Sequence, residues 1–202
     1  MNPIFIFSLP RSGSTLLQRS LMAHKGIAST SEPWLLLPQI YCLKNNGHLS
    51  DYSSLTPTKG INDLISNLPN KKDDYNESLR NFILDLYKKL STENEIYFLD
   101  KTPRYYKIIS EIEEIFPNAK FIFLFRSPEQ IFASMLKTWS NNRFTPFLSS
   151  YNDLIEGNYK LSEGYENIRK NAIAIKYEDF VSNPIQELKS ITDYLELDFD
   201  SN

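Results

Sequence analysis

Cysteine is almost absent from this 202-residue chain: Cys42 stands alone, so no internal disulfide can form and no cysteine–histidine metal cluster can be assembled. Histidine is nearly as scarce. His24 and His48 are the only two, and the chain has no Gly-x-Ser-x-Gly elbow, so a triad hydrolase finds no support. A basic excess is missing as well. The formal net charge of −3 removes the broad positive field that nucleic-acid or anionic-membrane binding uses, and leaves any anion to a local site. Long apolar runs are lacking too: stretches such as Phe121 to Phe125 fall far short of the roughly 20 residues that span a bilayer. The N-terminus has neither the basic n-region nor the small-residue cleavage site of an export signal. A cytoplasmic, reducing compartment is the expectation.

What is present suits one α/β domain over residues 1–202. Hydrophobic residues make up 41% of the chain and aromatics 13%, enough to fill a core. Four short runs, Pro3 to Ser8, Glu95 to Leu99, Lys120 to Phe125 and the weaker Ala172 to Tyr177, lack polar alternation, which predicts parallel strands covered on both faces. Helical spacing of apolar residues follows over Ser14 to Ala23 and Pro128 to Trp139, and recurs over Arg80 to Leu90 and Arg104 to Phe116. A last amphipathic helix starts at Asn183-Pro184, with proline in its first turn. Strand followed by helix, repeated, is the α/β pattern. Asn45 to Asp74 is polar, scattered with Gly, Pro, Ser and Asn, and reads as a long loop or weakly structured insertion.

The first strand runs into Ser8-Leu9-Pro10-Arg11-Ser12-Gly13-Ser14-Thr15, after which a helix begins at once. A strand, a Gly-containing turn and a helix N-terminus make an anion site, with backbone N–H groups of Ser12 to Thr15, hydroxyls and the Arg11 charge as donors. Against the nucleotide-triphosphate pattern GxxxxGK[ST], Ser8 replaces the first Gly and Ser14 the Lys. The γ-phosphate lysine is therefore missing, and the strand-end carboxylate available for Mg²⁺, Asp100, is opposed by the adjacent Lys101. Both facts weaken a kinase reading without removing it. A second candidate site follows the third strand, where Arg126 stands at the carboxyl end and Ser134 about two helical turns later. Ligands bind outside the carboxyl ends of strands in open α/β sheets, so the Arg11 and Arg126 loops are expected to share one crevice and one doubly anionic ligand.

Pro10-Arg11-Ser12-Gly13-Ser14-Thr15 resembles the 5′-phosphosulfate loop of sulfotransferases that use 3′-phosphoadenosine 5′-phosphosulfate (PAPS), especially the branch of tyrosylprotein, carbohydrate and bacterial enzymes. Arg126 and Ser134 match that family's pair for the donor's 3′-phosphate. Glu32, in Ser31-Glu32-Pro33-Trp34, stands where the tyrosylprotein-type enzymes place their catalytic base, and Lys101 resembles the lysine that steadies the transferring group. Lys176-Tyr177-Glu178-Asp179-Phe180 is similar to a late motif whose tyrosine, here Tyr177, lies near the adenine. The resemblance implies a P-loop-like domain with a parallel sheet of about five strands, PAPS as donor, PAP as product, a hydroxylated acceptor and no metal. Family members commonly continue into a basic, Gly-containing segment over the 3′-phosphate, whereas this sequence stops at Asn202, so a less enclosed donor is expected.

On that resemblance the chemistry is in-line sulfuryl transfer. Arg11, Lys101 and the loop N–H groups would stabilise charge on the departing phosphate oxygen, and Glu32 would accept the acceptor's proton. An ATP-dependent phosphotransferase and a non-catalytic nucleotide-binding protein remain as alternatives. Asn45 to Asp74 and Ser140 to Asn158 are the variable segments from which an acceptor pocket would be drawn. Trp34, Tyr105 and Tyr106 are candidates for its lining, with core packing the commoner role for aromatics.

Overall fold

The computed structural model describes residues 1–47, 49, 51, 53–139 and 151–199. Five strands form one wholly parallel sheet: β1 (Asn2–Ser8), β2 (Ile27–Ser29), β3 (Tyr97–Asp100), β4 (Lys120–Phe125) and β5 (Ala172–Lys176), in the order β2-β3-β1-β4-β5. The four strands expected from apolar runs are all there. β2, the edge strand that completes the five, is only three residues long and carries no periodic signal of its own.

Alternation along the buried strands sorts their side chains into two different cores. Phe5 and Phe7 of β1, Phe98 of β3, and Phe121 and Phe123 of β4 share one face. Ile4 and Ile6, Leu99, Ile122 and Leu124 share the other. Each such side chain contributes about 1.5–3 kcal/mol on burial. The aliphatic face is covered by α1 (Ser14–Leu21, through Leu17 and Leu21), α8 (Tyr177–Ser182, through Phe180) and α9 (Pro184–Leu195, through Ile191 and Leu195). The phenylalanine face is covered by α2 (Leu36–Tyr41), α4 (Lys72–Lys89), α5 (Ile109–Ile115), α6 (Pro128–Trp139) and α7 (Tyr151–Ile168).

Two stretches differ from expectation. Asn45 to Asp74 is mostly helical in its second half, where α3 (Leu55–Asn67) is followed by the first turn of α4. Thr58 is the only fully buried residue of α3, so no apolar stripe announces it. Its Pro57 falls in the first turn, where proline is tolerated. The start of α4 is held by Asp74, which accepts from both the backbone and the side-chain nitrogen of Asn70, and these bonds keep its carboxyl below the ordinary range. The second difference lies in Arg104 to Phe116. Instead of one helix there is a 3₁₀ turn at Tyr105–Lys107, a break at Ile108, and then α5. Tyr105 and Tyr106 both turn into the core. His48 and residues 140–150, the first part of the second variable segment, lie outside the described residues.

Candidate active site

β1 is central, flanked by β3 and β4, and Ser8 at its end is in register with Leu124 of β4. The turns after β1, β3 and β4 therefore open along one edge, at the carboxyl ends of the strands where the direction of winding reverses. A cavity of about 530 Å³ lies there, lined by the turn at Pro10 to Thr15 and by Glu32, Arg126, Ser134 and Tyr177 among others.

The turn after β1 is tightly specified. Ser12 donates both its N–H (3.2 Å) and its hydroxyl (2.6 Å) to the carbonyl of Leu9, closing the loop. Arg11 on one side of it has φ 68 and Gly13 on the other φ 91, both in the left-handed region. A side chain at Gly13 would run into the ring of Tyr177, which packs directly on that backbone. Glycine is thus required twice over, by its dihedral and by the close approach. Helix α1 starts at Ser14 without a side-chain cap, and its first N–H groups have no intrahelical acceptor. The result is a cradle of backbone donors at the positive end of a helix dipole. Ser12 departs from the expected arrangement: with both donors committed to Leu9 it shapes the turn, while Arg11, Gly13, Ser14 and Thr15 line the cavity.

Arg126 links this turn to the other half of the cavity. Its guanidinium donates to the carbonyl of Arg11 (2.9 Å) and to Gln130 Oε1 (3.2 Å), and lies 4.2 Å from the centre of the Tyr177 ring. Arg11 in turn donates to Ser134 Oγ (3.2 Å). Arg11, Arg126, Ser134 and Tyr177, separated by up to 166 positions in sequence, are one cluster in space.

At the inner end, Lys101 Nζ is 2.7 Å from Glu32 Oε1 and 3.4 Å from Thr15 Oγ1. Its side chain is 2% exposed and that of Glu32 36%, so the lysine is anchored inside while the carboxylate reaches the opening. Asp100 points to the opposite face of β3. It is fully buried and accepts the hydroxyls of Tyr87 (2.6 Å), Tyr105 (2.9 Å) and Thr102 (3.1 Å). Burial pushes its carboxyl up to about 6, against the pull of those hydroxyls and of Lys101. Thr102 also accepts the N–H of Trp34 (3.2 Å), and the Tyr105 hydroxyl that of Leu36 (3.4 Å). Asp100 is therefore the hub of a network that fixes the Glu32-to-Leu36 segment beside Lys101.

Arg104, Trp34 and Asp153 complete the surroundings. Arg104 (φ 72) donates through Nε (3.1 and 3.3 Å) and Nη2 (2.9 Å) to Asp153 of α7, which also accepts the Tyr106 hydroxyl. Burial raises the Asp153 carboxyl, yet these bonds outweigh it and leave it below its ordinary range. Arg104 stood in the sequence three places after Lys101, but its left-handed backbone and distant partner carry no local signal. Of the three candidate aromatics, Tyr105 and Tyr106 are core residues, whereas Trp34 is 40% exposed and lines the cavity. No helix among the described residues is long and apolar enough to cross a membrane.

The profile described as the sulfotransferase family matches residues 3–201. The nodulation protein NoeE of Sinorhizobium fredii is 32% identical over 146 residues, which cover 72% of this chain and 32% of that protein. The protein-tyrosine sulfotransferase of Drosophila melanogaster is 28% identical over 201 residues, covering 96% of this chain and 38% of the relative. The chain thus spans about a third of the length of these two proteins. Among solved structures, the sulfotransferase domain from the curacin biosynthetic pathway superposes with a TM-score of 0.64 at 23% identity, covering 98% of this chain and 75% of that one.

Proposed function

The chain belongs to the sulfotransferase family, whose members use PAPS as donor and release PAP, and on that premise we propose that it carries a sulfuryl group from PAPS to a hydroxyl acceptor at the cavity above β1 and β4. The observation that carries the proposal is the convergence, on one cavity, of a phosphate-type turn, of Arg126 and Ser134, and of the Glu32 carboxylate, which is paired with the buried Lys101 behind it.

In this reading the N–H groups of Gly13, Ser14 and Thr15 hold the 5′ end of the donor, and Arg11 adds full charge. Arg126 and Ser134 hold the 3′-phosphate, and Tyr177 presents its ring between the two. Glu32 takes the proton from the acceptor hydroxyl as the new S–O bond forms. Lys101 and Arg11 meet the negative charge that builds on the bridging oxygen as the old S–O bond breaks and PAP departs. The 2.7 Å contact of the pair sets the base and the cation for the leaving oxygen side by side. Cys42, unpaired among the described residues, is compatible with a cytoplasmic location.

The test is ligand-induced stabilisation followed by transfer. PAP is expected to raise the melting temperature of the wild-type chain, and Arg11→Ala and Arg126→Ala each to abolish the rise. Radiolabelled PAPS should then lose its sulfuryl label to a hydroxylated acceptor. A chain that ignores both nucleotides defeats the proposal.

A further inference from the structure

A second cavity of about 530 Å³ adjoins the first, and the two share only Trp34 and Arg104 among their lining residues. Both of these residues have left-handed backbones, Trp34 at φ 53 and Arg104 at φ 72, an unfavourable conformation for non-glycine side chains. Each is held there by an identified bond: Trp34 through its N–H to Thr102, Arg104 through its guanidinium to Asp153. Strain at both shared residues, with specific bonds to maintain it, marks the boundary between the cavities as a built feature.

The chemistry of the second cavity is uneven. Trp34, Leu37, Pro38 and Tyr41 form an apolar and aromatic wall, and Arg104 and Lys107 supply two cations. The only carboxylate lining it among the described residues, Asp153, already receives Arg104 and Tyr106. The bonds to Asp153 use Nε and Nη2 of Arg104, leaving Nη1 without a protein partner among the described residues. Arg and Lys are donors only. A polyol bound here would bring many hydroxyl donors to a wall that offers few acceptors, and an amine would meet like charge. A flat apolar body bearing an anion satisfies both halves of the wall.

We infer that the second cavity selects the acceptor, and that it takes a hydroxyaryl acid whose ring lies on the Trp34 wall and whose anion meets Arg104 and Lys107. Asp153 is a positioning residue that holds the Arg104 fork at the boundary. This inference rests on the sulfuryl-transfer reading of the neighbouring cavity.

The experiment is calorimetric titration of the PAP-saturated protein with matched phenols: 4-hydroxybenzoate, 4-hydroxyphenylacetate and 3-(4-hydroxyphenyl)propanoate, the amide of each, tyramine, and methyl β-glucoside as a polyol. At least one acid should bind about tenfold or more tightly than its amide, as expected for a charge-assisted contact, and more tightly still than tyramine. Arg104→Gln should erase the preference of acid over amide. Asp153→Asn should reduce it, and the effect should appear in the acid-to-amide ratio, which a general loss of stability does not change. Equal binding of acid and amide, tightest binding of the glucoside, or no binding by any probe overturns the inference while PAP binding leaves the donor reading standing. Failure of PAP itself to bind the wild-type chain overturns both.

Discussion

The proposed donor side and the proposed acceptor side of this molecule are built by different means. On the proposed donor side, the 5′ end would meet backbone: a five-residue turn between β1 and α1, whose conformation is dictated by Gly13, Ser12 and the ring of Tyr177, with Arg126 and Ser134 added from further along the chain. On the acceptor side, the walls are side chains, brought together from the segment at Trp34 to Tyr41, the turn at Arg104 to Lys107, and α7. A backbone site is compact in sequence and hard to alter. A side-chain site is dispersed and easily rewritten. Glu32 lines the first cavity two residues before Trp34, which lines both.

That contrast can be sharpened first at the junction. Glu32→Gln should leave PAP binding intact and lower kcat by about 10²–10⁴-fold, the usual range for a general base, read by single-turnover transfer of labelled sulfate. Unchanged turnover would remove Glu32 from the chemistry. The next effect concerns the network beneath the acceptor wall. Asp100 titrates at about 6 in the fold against an ordinary 3.8, so between those values the folded chain holds a proton that the unfolded chain has released. Its contribution to stability therefore falls as pH rises from about 4 to about 6 and stays lost above. Asp100→Asn has no such slope, so denaturation at pH 4 and pH 7 should move the variant's stability relative to wild type upward by as much as about 3 kcal/mol. A pH-independent difference would mean that Asp100 is not strained by its burial.

On the donor side, Gly13→Ala forces a methyl into the left-handed region and against Tyr177, which should cost at least about 1–2 kcal/mol of stability and weaken PAP binding together. Loss of stability with donor affinity preserved would separate the turn from the site. The smallest effect is a baseline away from both sides. Lys72 and Glu114 form an exposed pair at 2.6 Å, and Lys72→Ala should change stability by less than about 1 kcal/mol with PAP binding untouched.

The same contrast decides how much could be read from the chain. Three strands were legible because their apolar runs are buried on both faces, and the edge strand β5, where only Ile175 is fully buried, by a weaker run; β2 was not, since three residues at a sheet edge acquire their conformation from pairing with β3. α3 was hidden because it packs little of itself, and a polar helix looks like a polar loop. Arg11, Gly13 and Arg126 could be singled out because each stands at a strand end or a helix start, Ser134 and Tyr177 through the family resemblance, and the structure brings all five to one cavity. Arg104 and Asp153 could not, because their bond joins positions 49 residues apart and rests on a dihedral that nothing in the local sequence demands. Asp100 was weighed as a metal-holding carboxylate at a strand end. Strand alternation, which turns neighbours to opposite faces, sends it instead among the buried tyrosines of the phenylalanine side while Lys101 turns to Glu32 and Thr15.

The two-faced sheet has a consequence for how such a molecule can change over time. α1 and Tyr177 rest on isoleucine and leucine, whereas α2, the tyrosines after Arg104, α6 and α7 rest on phenylalanine, as does Leu9 at the start of the turn. Substitutions that reshape the aromatic layer can shift the walls around Trp34 without touching the aliphatic layer beneath α1, and reach the anion turn only through Leu9. Of the proposed donor elements, α1 and Tyr177 are thus set on one side of the sheet, and only Leu9 and α6 share the aromatic layer with the walls around Trp34.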